Sequence, residues 1–241
     1  MSKQNPIIII PARMKAERLP GKPLADIHGK PMIVHVAERA TRAGIGPVVV
    51  AAAEQEIVDA VTNAGFKAVL TDPDLPSGTD RIFAGWQKID PDKKHDVVIN
   101  LQGDLPTMEP EIIKEILPPL QKGADISTLI TKARPGEENN PNIVKAVMSY
   151  KGRALYFSRG KAPYGEGPFY HHMGIYAYKQ EALEKFVTLP QTPLEKRERL
   201  EQLRALENDM RIDAVLVNAE PLGVDTSEDL EMARQLLKVK R

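Results

Sequence analysis

The chain has 241 residues, 42% of them hydrophobic, enough for one sizeable core. Lys plus Arg and Asp plus Glu number 33 each, so the net charge is zero, unlike the basic balance of a general nucleic-acid binder. Cysteine is absent, which excludes a disulfide framework and a thiolate metal site and fits a reducing cytoplasm. No apolar run is long enough to cross a bilayer, and Met1-Ser2-Lys3-Gln4-Asn5 leads into its short apolar run without the organisation of a signal peptide.

Ile7 to Ile10 is an unbroken β-branched run, which predicts a strand covered on both faces. A polar loop follows, carrying Arg13, Lys15, Arg18 and, just after Pro20-Gly21, Lys22. A loop at the carboxyl end of a parallel strand is where α/β sheets bind ligands. A triphosphate matches its charge, although basic surface loops are common and a Pro-Gly turn is ordinary punctuation. Neither a P-loop nor a G-x-G-x-x-G pattern occurs here.

Met32 to Ala43 has helical spacing, Val48 to Ala51 reads as a strand, Glu54 to Ala64 as a helix and Lys67 to Thr71 as a strand. This alternation predicts a parallel sheet with right-handed crossovers. Ser77-Gly78-Thr79-Asp80-Arg81 opens a helix to about Lys88, capped by Ser77 or Thr79. Its free N–H groups suit an anion as well as a cap. Asp96 to Leu101 is the next strand, and Gln102-Gly103-Asp104-Leu105-Pro106 leaves its end. Asp104 is therefore well placed for a hard cation, the plain alternative being a turn-forming Asp after Gly.

Pro110 to Gln121 reads as a helix that Pro118-Pro119 kinks or ends early, and Asp125 to Thr131 as a strand. Val144 to Tyr150 and Arg153 to Ser158 alternate around Lys151-Gly152, a hairpin signal. Gly160 to Tyr170 is loop and His171 to Tyr178 returns as a strand, making an antiparallel extension. Neighbouring strand residues face opposite ways, so His171 and His172 do not form a dihistidine metal site. Gln180 to Val187 and Leu194 to Asn208 read as helices, the second decorated with acids, among which Glu198, Glu201 and Glu207 look solvent-facing. Arg211 to Val217 is the last strand. Thr226 and Asp229 are spaced as a capping box for the final helix, with Asp225 just before it as a dipole-stabilised acid.

Pro11-Ala12-Arg13 followed by Arg18-Leu19-Pro20-Gly21-Lys22-Pro23-Leu24 resembles the opening signature of the sugar-activating nucleotidyltransferases, and within them the 3-deoxy-manno-octulosonate cytidylyltransferase family. Ser77-Gly78-Thr79 with Arg81 is similar to a nucleotide-contacting segment of that family, and Gln102-Gly103-Asp104-Leu105-Pro106 to its Gln-Gly-Asp-Glu-Pro. Tyr156-Phe157-Ser158-Arg159 and His172-Met173-Gly174-Ile175-Tyr176 resemble motifs that contact the sugar acid. Leu200-Glu201-Gln202-Leu203-Arg204 and Val224-Asp225-Thr226-Ser227-Glu228-Asp229 complete a series running from Ile9 to Leu236 in matching order. The chain departs from the pattern at Leu105, where Glu is usual, and at Ala52-Ala53, where Thr-Asp is usual and two polar groups near the nucleotide are lost.

The resemblance implies a Rossmann-like α/β nucleotidyltransferase, mainly a parallel sheet with an inserted antiparallel element. It implies one domain over residues 1–241, with 144–208 as a smaller sugar-binding and dimerising subregion. The implied reaction joins CTP and 3-deoxy-D-manno-octulosonate (Kdo), giving CMP-Kdo and pyrophosphate for lipopolysaccharide synthesis. By this likeness Ala12, Arg13, Arg18, Lys22, Ser77, Gly78, Thr79, Arg81 and Gln102 hold the nucleotide. Gln102, Arg159, His172, Tyr176, Glu201 and Gln202 hold the sugar acid, and Asp104 and Asp225 hold Mg²⁺. Arg13, Lys22, Asp104 and Asp225 are the implied catalytic set. A cytoplasmic homodimer with no nucleic-acid partner is expected. The alternatives are an enzyme for another acid, such as 8-amino-Kdo or a sialic acid, and a catalytically idle nucleotide-binding regulator.

Overall fold

The computed structural model describes residues 4–16, 18–220 and 222–238; Met1–Lys3 of the amino-terminal reading and Glu17 of the basic loop lie outside the described residues. Contacts gather the chain into two compact units, Ser2–Lys114 with Pro221–Arg241, and Glu115–Glu220.

The first unit begins with β1 (Pro6–Ala12), a small hairpin of β2 (Asp26–Ile27) and β3 (Lys30–Pro31), and α1 (Met32–Arg42). It continues through β4 (Val48–Ala52), α2 (Gln55–Asn63), β5 (Lys67–Leu70), α3 (Gly78–Ile89), β6 (Val97–Asn100) and α4 (Pro110–Lys114). Four strands pair in parallel in the order β6-β1-β4-β5. β1 is central, and Ile7 to Ile10 are all buried, as an apolar run covered on both faces requires. The alternation of strand and helix thus gives the expected sheet. Ala51, Ala52 and Ala53 are buried too. A Cβ placed on Gly85 of α3 would come within 2.9 Å of Ala51 Cβ, so the small residues let this helix lie close on the sheet.

The second unit holds α5 (Pro118–Gln121), β7 (Ile126–Lys132), β8 (Lys145–Met148), β9 (Ala154–Ser158) and β10 (Tyr170–Lys179). Helices α6 (Gln180–Thr188), α7 (Pro193–Glu198) and α8 (Gln202–Glu207) and strand β11 (Ile212–Leu216) follow. β7 lies antiparallel to β10 and parallel to β11, and β8 and β9 form the expected hairpin. The chain then returns to the first unit as α9 (Ser227–Leu236). There Leu230 and Ala233 pack with Ile27, Met32 and Val224.

Two helices differ from the sequence reading in length. The 110–121 helix divides into α4 and α5, because Pro118 and Pro119 provide no N–H for a continued ladder. The 194–208 helix is broken into α7 and α8 at Arg199, whose φ of 56° is left-handed. The apolar and acidic spacing runs on through that break, so periodicity alone does not reveal it. Leu200 turns inward behind it and is buried.

β10 carries a buried histidine. The His172 ring packs 4.9 Å from Phe157 and 5.2 Å from Tyr176, centroid to centroid. Thr128 gives its hydroxyl proton to Ile175 O at 2.6 Å, so its oxygen accepts from His172 Nε2–H at 2.9 Å. Burial, then the neighbouring His171, lower the His172 pKa to about 3. An unfolded histidine titrates near 6.5, so the folded state alone stays neutral across this window. The stability this contributes is full above pH 6.5 and is lost as pH falls towards 3, at about 1.4 kcal/mol per pH unit. Wild type should lose about 2 kcal/mol between pH 7 and pH 5 in urea titrations, and His172→Gln should lose distinctly less over the same interval.

Candidate active site

The basic loop after β1 is pinned at both ends. Met14 N–H donates to Glu54 Oε2 at 3.0 Å, and Gly21 N–H to Met14 O at 3.2 Å. Gly21 takes a left-handed φ of 70°, which glycine adopts without strain, and turns the chain into a short 3₁₀ helix that begins at Lys22. Asp104 leaves β6 through Gly103. A Cβ on Gly103 would lie 2.8 Å from Pro11 O and 3.1 Å from Ile33 Cδ1, so only glycine passes. Gly103→Ala should therefore displace the Asp104 loop, costing about 1–3 kcal/mol of stability and about tenfold in activity; urea titration and steady-state rates measure the two effects.

Asp225 reaches the same place from the far end of the sequence. Val224 N–H donates to Asp104 O at 2.9 Å, which lays the two segments side by side. Asp229 Oδ2 accepts from the backbone N–H of both Asp225 and Thr226, and Thr226 Oγ1 takes the Asp229 N–H, completing the expected capping box. Lys22 Nζ then bridges the two acids, 2.8 Å from Asp104 Oδ2 and 3.0 Å from Asp225 Oδ1. Arg18 Nη2 lies 2.9 Å from Asp225 Oδ2. Burial by itself lowers the Lys22 pKa, but the charges and hydrogen bonds of Asp104 and Asp225 outweigh it and raise the pKa.

These groups line a cleft of about 340 Å³. Of the nucleotide set read from sequence, Ala12, Arg13, Arg18, Lys22, Ser77, Gly78, Arg81 and Gln102 line it. Thr79 does not. It is fully buried and its hydroxyl accepts from Asn100 Nδ2 at 3.3 Å, while Asn100 Oδ1 accepts from Gln102 Nε2 at 2.9 Å. Ser77 is the cap of α3, accepting from Asp80 N–H at 3.1 Å. Arg81 donates to Thr71 Oγ1, Asp72 O and Pro73 O, so much of its guanidinium holds the loop after β5. Burial, first among several causes, lowers its pKa. Lys15, Pro11 and Met32 line the cleft as well, although none belongs to the site residues read from sequence. The signal for Lys15 was its place among the loop cations; Met32 carried only a core-helix signal.

Among the described residues no group of three or more His, Cys, Asp or Glu side chains is arranged to hold a metal. The donor set at Asp104 and Asp225 still fits a hard cation such as Mg²⁺. Two carboxylates drawn onto one ammonium give it two oxygen ligands, and Mg²⁺ takes the rest of its shell from phosphates and water.

The residues read as sugar contacts lie in the second unit, apart from Gln102. Tyr176 is buried, and burial, then Tyr178 and Glu201, raise its pKa well above the usual value. His172 and Gln202 are buried as well. Arg159 is half-buried, with its guanidinium against Glu198 O and Pro141 O. Glu198, read as a solvent-facing acid, instead accepts from Ser158 Oγ and from Arg159 N–H.

The cytidylyltransferase family model matches residues 7–212. The 3-deoxy-manno-octulosonate cytidylyltransferase of Paramagnetospirillum magneticum is 58% identical, covering 99% of this chain and all of that one. Its counterpart in Rhodospirillum rubrum is 59% identical over 96% of this chain and 95% of its own. The solved structure of CMP:2-keto-3-deoxy-manno-octonic acid synthetase complexed with CTP superposes with a TM-score of 0.91 at 39% identity, over 97% of this chain and 98% of the other. A glucose-1-phosphate thymidylyltransferase from Bacillus anthracis shares the fold, with a TM-score of 0.68 at 15% identity. Sharing more than half of its residues with such relatives along almost the full length of both chains, this chain belongs to the 3-deoxy-manno-octulosonate cytidylyltransferases of the wider cytidylyltransferase family.

Proposed function

We propose that this chain transfers the cytidylyl group of CTP to 3-deoxy-D-manno-octulosonate, releasing pyrophosphate and CMP-Kdo for lipopolysaccharide synthesis. The names of its relatives support the substrates. The observation that carries the chemistry is the meeting of Asp104, Asp225 and Lys22 in a cleft edged by Arg13, Lys15 and Arg18. The anomeric oxygen of the sugar acid forms a bond to the α-phosphorus, the bond from that phosphorus to the β-bridging oxygen breaks, and the hydroxyl proton passes to solvent. No covalent enzyme intermediate is required, so the protein's work is positioning and charge compensation. Arg13, Arg18 and Lys22 offset the charge of the triphosphate and of the departing pyrophosphate. Arg159, His172, Tyr176, Glu201, Gln202 and Gln102 contact the sugar acid in this reading. Asp104 and Asp225 would hold Mg²⁺, which when bound offsets phosphate charge and lowers the pKa of the attacking hydroxyl.

Among the described residues no helix is long and apolar enough to cross a membrane. A cytoplasmic homodimer is part of the same reading, supported by the family likeness alone. Incubation with CTP, Mg²⁺ and a panel of ulosonic acids, followed by mass analysis, tests it. CMP-Kdo as the preferred product is expected. Preference for another acid overturns the acceptor, and CTP binding without any product overturns the reaction.

A further inference from the structure

We propose that Glu198 is a positioning residue for the sugar-acid side of the reaction, because it fixes the backbone and side chain of Arg159. The inference rests on the reading of Arg159 as a sugar-acid contact. Glu198 stands on the last turn of α7, where an acid normally faces water. Its carboxylate instead accepts from Tyr156 OH at 3.3 Å, Ser158 Oγ at 3.1 Å and Arg159 N–H at 2.8 Å. Its own carbonyl accepts from Arg159 Nε at 3.0 Å. One residue thus grips Arg159 at both the main chain and the guanidinium.

The opposite side of Arg159 is held as firmly. Lys145 is fully buried and donates its three protons to Asn140 O, Ile143 O and Arg159 O, at 2.9, 2.7 and 2.6 Å. Arg159 is therefore fixed at its N–H by Glu198 and at its C=O by Lys145. Its Nη1 donates to Pro141 O at 3.1 Å and its Nη2 to Arg199 O at 3.5 Å. The left-handed turn at Arg199 leaves the carbonyls of both Glu198 and Arg199 facing the same guanidinium. Three of the five N–H donors of Arg159 are engaged in these bonds, and none of the three acceptors is a carboxylate oxygen. The side chain is immobilised while its full charge is kept for an anion. A carboxylate-bearing substrate then binds without having to order its own partner, and that cost is one that otherwise weakens affinity.

Steady-state kinetics on the full chain test this, varying the sugar acid at saturating CTP and CTP at saturating sugar acid. Glu198→Ala is expected to raise the KM for the sugar acid about tenfold and leave the KM for CTP unchanged. Glu198→Gln is expected to restore it. Its amide oxygen can take the Arg159 N–H, and the hydroxyls of Tyr156 and Ser158 can turn to accept from its NH₂. Glu198→Asp, whose carboxylate is drawn back by one methylene, serves if the alanine variant does not fold and should raise the sugar KM severalfold. An unchanged sugar KM in the alanine or aspartate variant, or an equal rise in both KM values, overturns the proposal while Arg159→Ala still raises the sugar KM. Arg159→Ala without effect on the sugar KM overturns the assignment of Arg159 itself, and the proposal with it.

Discussion

Asp104→Asn should lower kcat by a hundredfold or more while leaving the protein folded. The two halves of that expectation have separate causes. Asparagine is almost the same size and keeps an oxygen that can accept from Lys22 Nζ, now 2.8 Å from Asp104 Oδ2. Lys22 also keeps Asp225 at 3.0 Å, so its half-buried ammonium is not stranded. The loop is held by backbone contacts, with Gly103 against Pro11 and Val224 N–H on Asp104 O, and neither involves the carboxylate. The chemistry, by contrast, depends on the charge. Removing one preorganised charge contact from a site where charge develops costs about two to three orders of magnitude. Pyrophosphate release at saturating CTP, Kdo and Mg²⁺ measures the rate, and a thermal melt measures the fold. Normal Mg²⁺-dependent turnover in Asp104→Asn would refute the role given to this acid.

The largest stability effect is expected far from that chemistry. Glu195 and Arg204 are both buried, and they face each other in a two-pronged pair, with Arg204 Nε 2.9 Å from Glu195 Oε2 and Nη2 on Oε1. The Arg204 guanidinium also lies 4.7 Å from the centre of the Phe186 ring. Arg204→Met leaves the Glu195 charge buried without its partner, a loss of about 3–5 kcal/mol. In a chain of this length that lowers Tm by about 10 °C. Replacing both members, as in Glu195→Leu with Arg204→Met, removes the stranded charge and should recover most of the loss. A single variant as stable as wild type would show that the pair is not what holds α7 to α8.

How much of this was legible beforehand depends on the range over which each feature is encoded. The central strand was, because four consecutive isoleucines make a local pattern that few other structures satisfy. Asp104 was partly legible, since an acid released from a buried strand through glycine already points to a ligand. Asp225 was not legible locally: an acid before a helix cap is commonplace, and only the family likeness or the Val224–Asp104 backbone bond brings it to the site. Glu198 was misleading, because its position on an acid-studded helix hides three donors, two from β9 and the third from Arg159 just after it. The break at Arg199 had no signature, as arginine is an unremarkable helix residue and the group that meets its carbonyl, the Arg159 guanidinium, is distant in sequence. Leu105 stands where the resembled pattern has an acid, and it is buried, so the departure puts an apolar side chain where water does not reach.

The balance of charge around the cleft has a consequence for how fast nucleotide arrives. Arg13, Lys15, Arg18, Lys22 and Arg81 line it against Asp104 and Asp225, in a chain whose total charge is zero. The excess is therefore local, and it attracts polyanions over roughly a Debye length, about 8 Å at physiological salt. Raising the ionic strength should slow the capture of CTP far more than its release, because screening acts on the approach and much less on pairs already in contact.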